Sequence, residues 1–173
     1  LYTNTGTNTS PIFTLTDTDL ANAGYNNLGE SLSPTFGDLD GDYDPDMIVG
    51  TETGQLFYYE NTGNFTAHSY TYRGSLQSID VGNFAAPTLG DIDGDGDLDL
   101  FVGGRLSPGK YPFPGKSYLL RNDHVKFIDV TAEWGPEISQ CGMVTDAEWA
   151  DINGDHKLDL IVVGEWMKIS PFI

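Results

Sequence analysis

One segment of the sequence occurs three times, and this repeat constrains the fold more than any other feature. Each copy joins a short stretch, an acidic loop and a β-branched run, and the copies are Pro34–Gly50, Pro87–Gly103 and Ala147–Val163. Their acidic loops begin at Asp38, Asp91 and Asp151, so the starts are 53 and 60 residues apart. This spacing is close to the roughly 40–50 residues of a four-stranded propeller blade.

The residues around each loop predict an antiparallel meander of four strands. The first strand runs into the acidic loop, and the apolar run after the loop is typical of a strand that is covered on both faces. Third strands are predicted at Gln55–Glu60 and Ser117–Arg121, and fourth strands near Phe65–Tyr72 and Lys126–Thr131. No segment has a convincing helix pattern. The predicted fold class is therefore all-β, a propeller-like array of four-stranded antiparallel blades.

The repeats divide the 173 residues into about three blades. We expect residues 1–30 to end a preceding blade, residues 31–83 and 84–143 to form whole blades, and residues 144–173 to begin another. A closed propeller needs about four to eight blades. We therefore expect a partial propeller whose exposed strand edges could pair with those of another copy.

The acidic loops have the residue types and the spacing of a calcium site. Loop positions 1, 3, 5 and 9 carry the candidate side-chain ligands, which are Asp38, Asp40, Asp42 and Asp46, then Asp91, Asp93, Asp95 and Asp99, then Asp151, Asn153, Asp155 and Asp159. Position 7 can supply its backbone carbonyl, from Asp44, Asp97 and Lys157. Five protein groups and water would give the roughly six to eight oxygens that Ca²⁺ takes, whereas Mg²⁺ keeps more water. No His or Cys lies at ligand spacing, which disfavours zinc and copper.

Two other interpretations of the loops differ in strength. An EF-hand needs a Glu at position 12, but that position holds Val49, Val102 and Val162. Plain acidic turns remain an alternative, because Asp and Gly are common in turns. Three loops in the same register, each with a Gly at position 4, favour the metal site.

The stretch Asp91–Gly103, Asp-Ile-Asp-Gly-Asp-Gly-Asp-Leu-Asp-Leu-Phe-Val-Gly, resembles the repeat of the FG-GAP/VCBS family. This family includes integrin α-subunit propellers and many bacterial secreted proteins, and the Asn-Thr-Gly turn before Asn64 and Phe65 resembles the bacterial branch. The resemblance implies that each repeat is a propeller blade, with calcium in the loop between its first two strands. It implies no single activity, because function belongs to sites on a fold.

Charge and composition exclude several kinds of partner. The chain has 26 Asp and Glu against 8 Lys and Arg, for a net charge of −18, which argues against nucleic acid and anionic membranes. No apolar run approaches the roughly 20 residues of a membrane span. A single cysteine, Cys141, excludes an internal disulfide framework and is expected to be a small buried hydrophobe.

The remaining candidate residues are weaker. The irregular loop Gly104–Ser117 contains three prolines and two aromatic residues, and such loops are where repeat proteins bind ligands. A family-specific decoration is the alternative for this loop. We expect the three histidines to lie on the surface and the three tryptophans to lie in the core; these residues are His68, His124, His156, Trp134, Trp149 and Trp166.

These observations favour a calcium-binding, non-catalytic module of a secreted or cell-surface protein that serves adhesion or binds a protein or glycan. Its location would be extracellular, on the cell surface or periplasmic. No catalytic residue is predicted. The alternatives are an accessory or catalytic part of a calcium-dependent polysaccharide-degrading enzyme, and a purely architectural spacer.

Overall fold

The computed structural model describes residues 1–20, 28–76 and 79–172, and these residues form an all-β protein. The first sheet is a hairpin of β1 (Tyr2–Asn4) and β2 (Phe13–Leu15). The second sheet contains β3 (Ser33–Gly37), β4 (Asp46–Gly50), β5 (Leu56–Asn61) and β6 (Tyr70–Ser75). The third contains β7 (Asn83–Gly90), β8 (Asp99–Leu106), β9 (Tyr118–Asp123) and β10 (Lys126–Asp129). The last contains β11 (Met143–Ala150), β12 (Asp159–Glu165) and β13 (Ser170–Phe172).

Every sheet pairs strands that follow each other in the chain, and all pairs are antiparallel. The second strand of each larger sheet lies in its middle. All five residues of β4 and the first six of β8 are buried, as the continuous apolar runs of the sequence predict. The sheets do not close into a barrel, so the predicted all-β, partial propeller-like arrangement is confirmed. The limits of the predicted domains remain a prediction.

Two short helical segments differ from the expectation of no helix. They are α1 (Thr131–Trp134) and a 3₁₀ turn (Pro136–Gln140), and both lie between β10 and β11. Segments of four and five residues are too short to give the 3.6-residue apolar periodicity that reveals a helix in a sequence. Among the described residues, no helix has the length and apolar character needed to cross a membrane.

The fourth strand of the second sheet starts later than expected, at Tyr70 instead of Phe65. Asn64 forms a tight turn, because its side-chain Oδ1 accepts hydrogen bonds from the backbone N–H groups of Thr66 and Ala67, both at 3.0 Å. Phe65 is at the tip of this turn and is 76% exposed.

The N-terminal hairpin has the same construction as the hairpin of β5 and β6. Asn4 Oδ1 accepts from the backbone N–H groups of Gly6 and Ile12, both at 3.0 Å. Asn61 Oδ1 accepts from the equivalent N–H groups of Gly63 at 3.1 Å and Ser69 at 2.8 Å. The two turns are therefore alike at the level of hydrogen bonds.

Apolar clusters lie between neighbouring sheets. Ile48, Leu100 and Leu120 belong to the cluster between the second and third sheets, and Phe101 and Leu160 to the cluster between the third and last sheets. Glycine allows the sheets to approach closely: a Cβ on Gly103 would lie 2.3 Å from Cγ1 of Val144 on β11. Burial of these side chains contributes about 1.5–3 kcal/mol each.

The tryptophans are placed differently from one another. Trp134 and Trp149 are partly buried against the cluster between the third and last sheets, as expected. Trp166 is 83% exposed, so its predicted core position is wrong. It lies in the turn after β12, outside the strands that form the sheet interface, and has a positive φ of 58°.

Candidate metal centres

Each acidic loop connects the end of the first strand of a sheet to the start of the second strand. Two positions of every loop have left-handed backbone torsions. Position 4 is glycine in all three loops, with φ values of 82°, 77° and 81° at Gly41, Gly94 and Gly154. At position 6 the φ values are 69° at Tyr43 and 67° at His156, where the second loop has a glycine. Non-glycine residues in this region cost about 1 kcal/mol or more, so the loop conformation is held by other interactions.

The first Asp of each loop provides such interactions. Oδ1 of Asp38 accepts from the N–H of Gly41 at 2.8 Å, and Oδ2 accepts from the N–H of Tyr43 at 2.9 Å. In the third loop, Asp151 accepts in the same way from Gly154 at 2.6 Å and His156 at 2.9 Å. In these two loops one carboxylate therefore holds both left-handed residues, whereas in the second loop Asp91 accepts from the N–H of Gly94 at 2.8 Å. The sequence predicted the first Asp only as a ligand.

The structure brings together three carboxylates in each of the first two loops. Oxygens of Asp38, Asp40 and Asp42 lie within 4.8 Å of one another in the first loop. In the second loop the corresponding group is Asp91, Asp93 and Asp99, which does not include Asp95. Within the described part of the chain, the third loop forms no such group of three acids; it has the amide of Asn153 in place of one carboxylate.

The Asp at position 9 is tied to the third strand of its sheet. Asp46 Oδ1 accepts from the backbone N–H of Asn61 at 2.8 Å, and Asp99 Oδ1 accepts from that of Asn122 at 2.8 Å. The other oxygen of each accepts from a loop N–H, of Leu39 at 3.3 Å in the first case and of Ile92 at 3.0 Å in the second. Asp46 also accepts from the hydroxyl of Tyr58 at 3.2 Å.

Asn61 and Asn122 are site residues that sequence reasoning missed. A signal for them exists, because an asparagine is the last residue of β5 and the last but one of β9, and another recurs as Asn4 at the end of β1. Asn122 also donates from its side-chain Nδ2 to the carbonyl of Leu39, 3.1 Å away in the neighbouring sheet. This bond connects the first acidic loop to the third sheet.

Residues 38–102 match the family model of the FG-GAP-like repeat. This segment is similar to an FG-GAP-like repeat. The match confirms the resemblance that the second acidic loop suggested, and it spans the first and second loops. The third loop lies beyond the matched residues, and no curated protein matches the chain.

The acidic loops of the FG-GAP-like segment are electrostatically unfavourable by themselves. Burial raises the pKa of Asp46 to about 6, although the N–H groups of Asn61 and Leu39 oppose the shift. The pKa of Asp99 is raised for the same reason, and that of Asp40 is raised by burial and by the charge of Asp42. The fold thus disfavours several negative charges at these positions, and a divalent cation would reverse this effect.

Asp44, at position 7 of the first loop, is buried. Burial and the charges of Asp42 and Asp40 raise its pKa, while the Asn61 amide lowers it. Even so, Asp44 Oδ1 has no hydrogen-bond partner within normal distance among the described residues, and neither has Asn61 Nδ2. Buried polar atoms without partners are rare in folded proteins, so Asp44 Oδ1 is a carboxylate oxygen that a donor or a cation would stabilise.

The position-7 residues of the other loops are more open to solvent. The side chain of Asp97 is 35% exposed and faces the imidazole of His124 at 3.5 Å. Lys157 is exposed, and its backbone N–H donates to Asp155 at 2.9 Å. The three histidines are exposed, as predicted, and Cys141 is partly buried beside Ser117, whose Oγ is 3.7 Å from its Sγ.

Two of the acids outside the loops, Glu60 and Glu165, are paired with arginine. Glu60 forms two hydrogen bonds with Arg73, at 2.7 and 3.0 Å. Glu165 forms two with Arg105, at 3.1 and 2.8 Å. Glu137 lines a cavity of about 380 Å³, in which the other acid is Asp93 of the second loop. The two arginine pairings favour structural roles for Glu60 and Glu165.

Proposed function

We propose that this chain is a calcium-stabilised, non-catalytic repeat module of a secreted or cell-surface protein. The observation that supports this most directly is the convergence of three carboxylates in each of two loops, at Asp38, Asp40 and Asp42 and at Asp91, Asp93 and Asp99. FG-GAP-like repeats are generally non-catalytic modules and typically occur in extracellular or surface proteins.

The residues of the loops fit calcium in their chemistry. Every candidate ligand is an oxygen, and Ca²⁺ accepts about six to eight oxygens in a flexible geometry. The carboxylates that converge and the unpartnered Oδ1 of Asp44 favour a bound cation. The raised pKa values of Asp46 and Asp99 indicate that negative charge at these positions is costly unless it is compensated. Loop 1 would use Asp38, Asp40, Asp42 and Asp46, with the carbonyl of Asp44, and loops 2 and 3 the equivalent residues.

Calcium would act as a structural ion here. Each loop joins the first two strands of a sheet, so a cation that binds only the folded loop stabilises the sheet by mass action. Extracellular sites of this kind bind at about 10⁻⁴–10⁻³ M, which suits millimolar calcium outside the cell.

Calorimetric titration with calcium tests this proposal, together with thermal unfolding in calcium and in chelator. We expect about three sites, as the sequence repeats indicate, and an unfolding temperature that rises with calcium. Magnesium at the same concentration is the control and should raise it less, because Mg²⁺ keeps its water. No heat of binding and equal unfolding temperatures in calcium and chelator would show that the loops are only acidic turns.

The loop between β8 and β9 is the face we propose for a protein or glycan partner. It lies at the end of β8 opposite the second acidic loop. Tyr111 and Phe113 are exposed, yet the loop is closed by internal bonds from the N–H of Ser107 to the carbonyl of Phe113 at 2.9 Å and from the N–H of Phe113 to that of Lys110 at 2.7 Å. Exposed rings on a preorganised loop suit recognition, because little conformational entropy is lost on binding.

A glycan and protein-binding screen with the wild-type chain and a Tyr111→Ala, Phe113→Ala variant tests this face. We expect the variant to lose any partner that the wild type binds. Phe65→Ala is the matched control, since Phe65 is an equally exposed ring on a different sheet. Equal binding by all three proteins would remove the loop from consideration.

A further inference from the structure

Asn153 and Gly154 form the only Asn-Gly pair in the sequence, which contains ten asparagines. They occupy positions 3 and 4 of the third acidic loop, where the first two loops have Asp-Gly. A glycine after an asparagine leaves its backbone nitrogen open to reaction, because glycine has no side chain to hinder the approach and its torsions are free. Such a pair is therefore a place where an asparagine can lose ammonia and become an acid.

The third loop provides three conditions for this reaction. Residues 151–158 are all exposed, so water reaches the pair. The backbone N–H of Gly154 donates to Oδ1 of Asp151 at 2.6 Å, so a carboxylate is in place to accept the proton of the attacking nitrogen. Oδ1 of Asn153 accepts from the backbone N–H of Asp155 at 2.8 Å. This bond makes Cγ of Asn153 more electrophilic and stabilises the negative oxygen that forms when Cγ is attacked.

We propose that Asn153 is a deamidation site and that the reaction gives the third loop the carboxylate it lacks. The backbone nitrogen of Gly154 attacks Cγ of Asn153, and the proton of that nitrogen passes to the side-chain amide, which leaves as ammonia. The intermediate is a cyclic imide. Water then adds to Cγ, and the bond from Cγ to the Gly154 nitrogen breaks. The nitrogen regains a proton, and an aspartate stands in an unchanged backbone.

The imide has a second carbonyl, and attack of water there gives isoaspartate, which lengthens the backbone. The structure favours the aspartate product. The N–H of Asp155 donates to the oxygen on Cγ of residue 153, and a donor on one carbonyl of the imide makes that carbon the more electrophilic of the two. Hydrolysis should therefore occur mainly at Cγ.

An aspartate fits at position 3 without a change in the loop. In the first loop, Oδ1 of Asp40 accepts from the N–H of Asp42 at 3.3 Å, and in the second loop Oδ1 of Asp93 accepts from that of Asp95 at 3.2 Å. Asn153 already makes the equivalent bond. Among the described residues, three acids converge only in the two loops that have Asp at position 3. Deamidation therefore gives the third loop the same set of carboxylates as the second.

The consequence for calcium rests on the proposed function, whereas the reaction itself does not. A further negative charge beside the cation strengthens binding, so the third loop should gain affinity as the protein ages. A bound cation should in turn slow the reaction, because it takes up oxygens of Asp151 and Asn153 that the reaction needs. The third loop therefore converts fastest while it holds no cation.

Peptide mapping by mass spectrometry tests the inference on the whole chain, incubated in chelator at mildly alkaline pH. We expect the peptide with Asn153 to show the mass change from amide to acid before any other asparagine peptide, with aspartate as the main product. Asn64 is the internal control, because it is exposed and its Oδ1 accepts from the N–H of Thr66 at 3.0 Å in the same way, but Phe65 follows it. Equal rates at Asn153 and Asn64, or isoaspartate as the main product at Asn153, would overturn the inference.

Variants separate the reaction from its product. Asp151→Asn keeps an acceptor for the N–H of Gly154 but removes the carboxylate, so it should slow the loss of ammonia at Asn153. An unchanged or faster rate would overturn the role of Asp151. Asn153→Asp represents the product and should bind calcium at the third loop about tenfold more tightly than the fresh wild type. Asn153→Gln is its control and should keep the same affinity throughout the incubation. Equal affinity in Asn153→Asp and fresh wild type would overturn the proposed gain.

The same incubation in calcium distinguishes this inference from the proposed function. Calcium at about ten times its dissociation constant should slow deamidation at Asn153 by about tenfold, because the fraction of empty loops falls by that factor. Preferred deamidation in a chain that binds no calcium contradicts only the proposed function. Calcium binding without preferred deamidation contradicts only the inference.

Discussion

The backbone N–H of Asn122 donates to Oδ1 of Asp99 at 2.8 Å and ties the third strand of a sheet to the loop between its first and second strands. The same bond occurs one sheet earlier between Asn61 and Asp46. An asparagine at the end of a strand thus positions a carboxylate in the loop, so the candidate metal site depends on three strands and not only on the loop itself.

Replacing Asn122 with alanine should destabilise the fold by about 1–3 kcal/mol, because a buried carbonyl then loses its donor. The side chain donates to the carbonyl of Leu39 at 3.1 Å and accepts from the N–H of Val125 at 2.7 Å. Urea unfolding measures the change. Asn64→Ala is the control: it removes similar bonds from an exposed turn and should cost less than about 1 kcal/mol. Equal losses in the two variants would contradict this role.

Asp91→Asn should weaken calcium binding at the second loop by about tenfold or more, while it leaves the fold intact. The amide oxygen can still accept from the N–H of Gly94, which Asp91 Oδ1 now does at 2.8 Å, but a negative charge next to the cation is lost. Calorimetric titration provides the measurement. Asp123→Asn removes an exposed acid outside the loops and should leave the affinity unchanged; a loss of affinity there would point to general electrostatics.

In chelator, stability should fall as the pH rises from about 4 to about 6. Asp46 has a folded-state pKa raised to about 6 from an ordinary 3.8, so the folded protein holds a proton that the unfolded chain has already released. The stabilisation that comes from the proton on Asp46 is complete below pH 3.8 and is lost as the pH rises through about 6. The free energy of unfolding should fall by up to roughly 3 kcal/mol over this range.

Thermal unfolding at a series of pH values in chelator checks this. Asp46→Asn should show a smaller fall over the same range, because its side chain does not titrate. Saturating calcium should remove the fall in the wild type, since the cation favours the carboxylate. An unfolding temperature that does not change with pH in chelator would show that ionisation of Asp46 does not destabilise the fold.

Arg105→Lys should destabilise the fold more than Arg73→Lys does. Both arginines bind a glutamate through two hydrogen bonds, and lysine cannot reproduce this fork. Arg105 also connects β8 to β12 of the neighbouring sheet and lies over the ring of Phe84 at 5.0 Å, whereas Arg73 and Glu60 belong to one sheet. We expect urea unfolding to show that Arg73→Lys lowers the free energy of unfolding by at most about 1 kcal/mol. The loss for Arg105→Lys should be larger. The opposite order would contradict a role for Arg105 in joining the sheets.

Much of the fold could be predicted because its signals are local. The triple repeat and the continuous apolar run of each second strand both lie within about 17 residues, and each predicted its structure correctly. The position of Trp166 was predicted wrongly, because burial depends on the turn that follows β12, and residue type alone does not indicate that turn.

The candidate site, too, could be predicted from the sequence only in part. The sequence predicted which loop positions would carry metal ligands, and this remains a prediction. It could not predict that Asp99 would join Asp91 and Asp93 while Asp46 would accept hydrogen bonds from Asn61 and Tyr58. That difference depends on a tyrosine hydroxyl twelve residues away from Asp46, in a strand whose register no loop motif specifies. The importance of Asn122 was missed for the same reason, since its partner Leu39 is 83 residues away.

The strand order of the sheets has a consequence for folding kinetics. Every strand pairs with its sequence neighbour, so each meander can form from contacts of short range, which favours fast folding. The bond from Asn122 to Leu39 spans 83 residues and forms only when two finished sheets meet. Folding should therefore proceed sheet by sheet, as in other repeat arrays, and removal of that bond should accelerate unfolding while it leaves the folding rate almost unchanged.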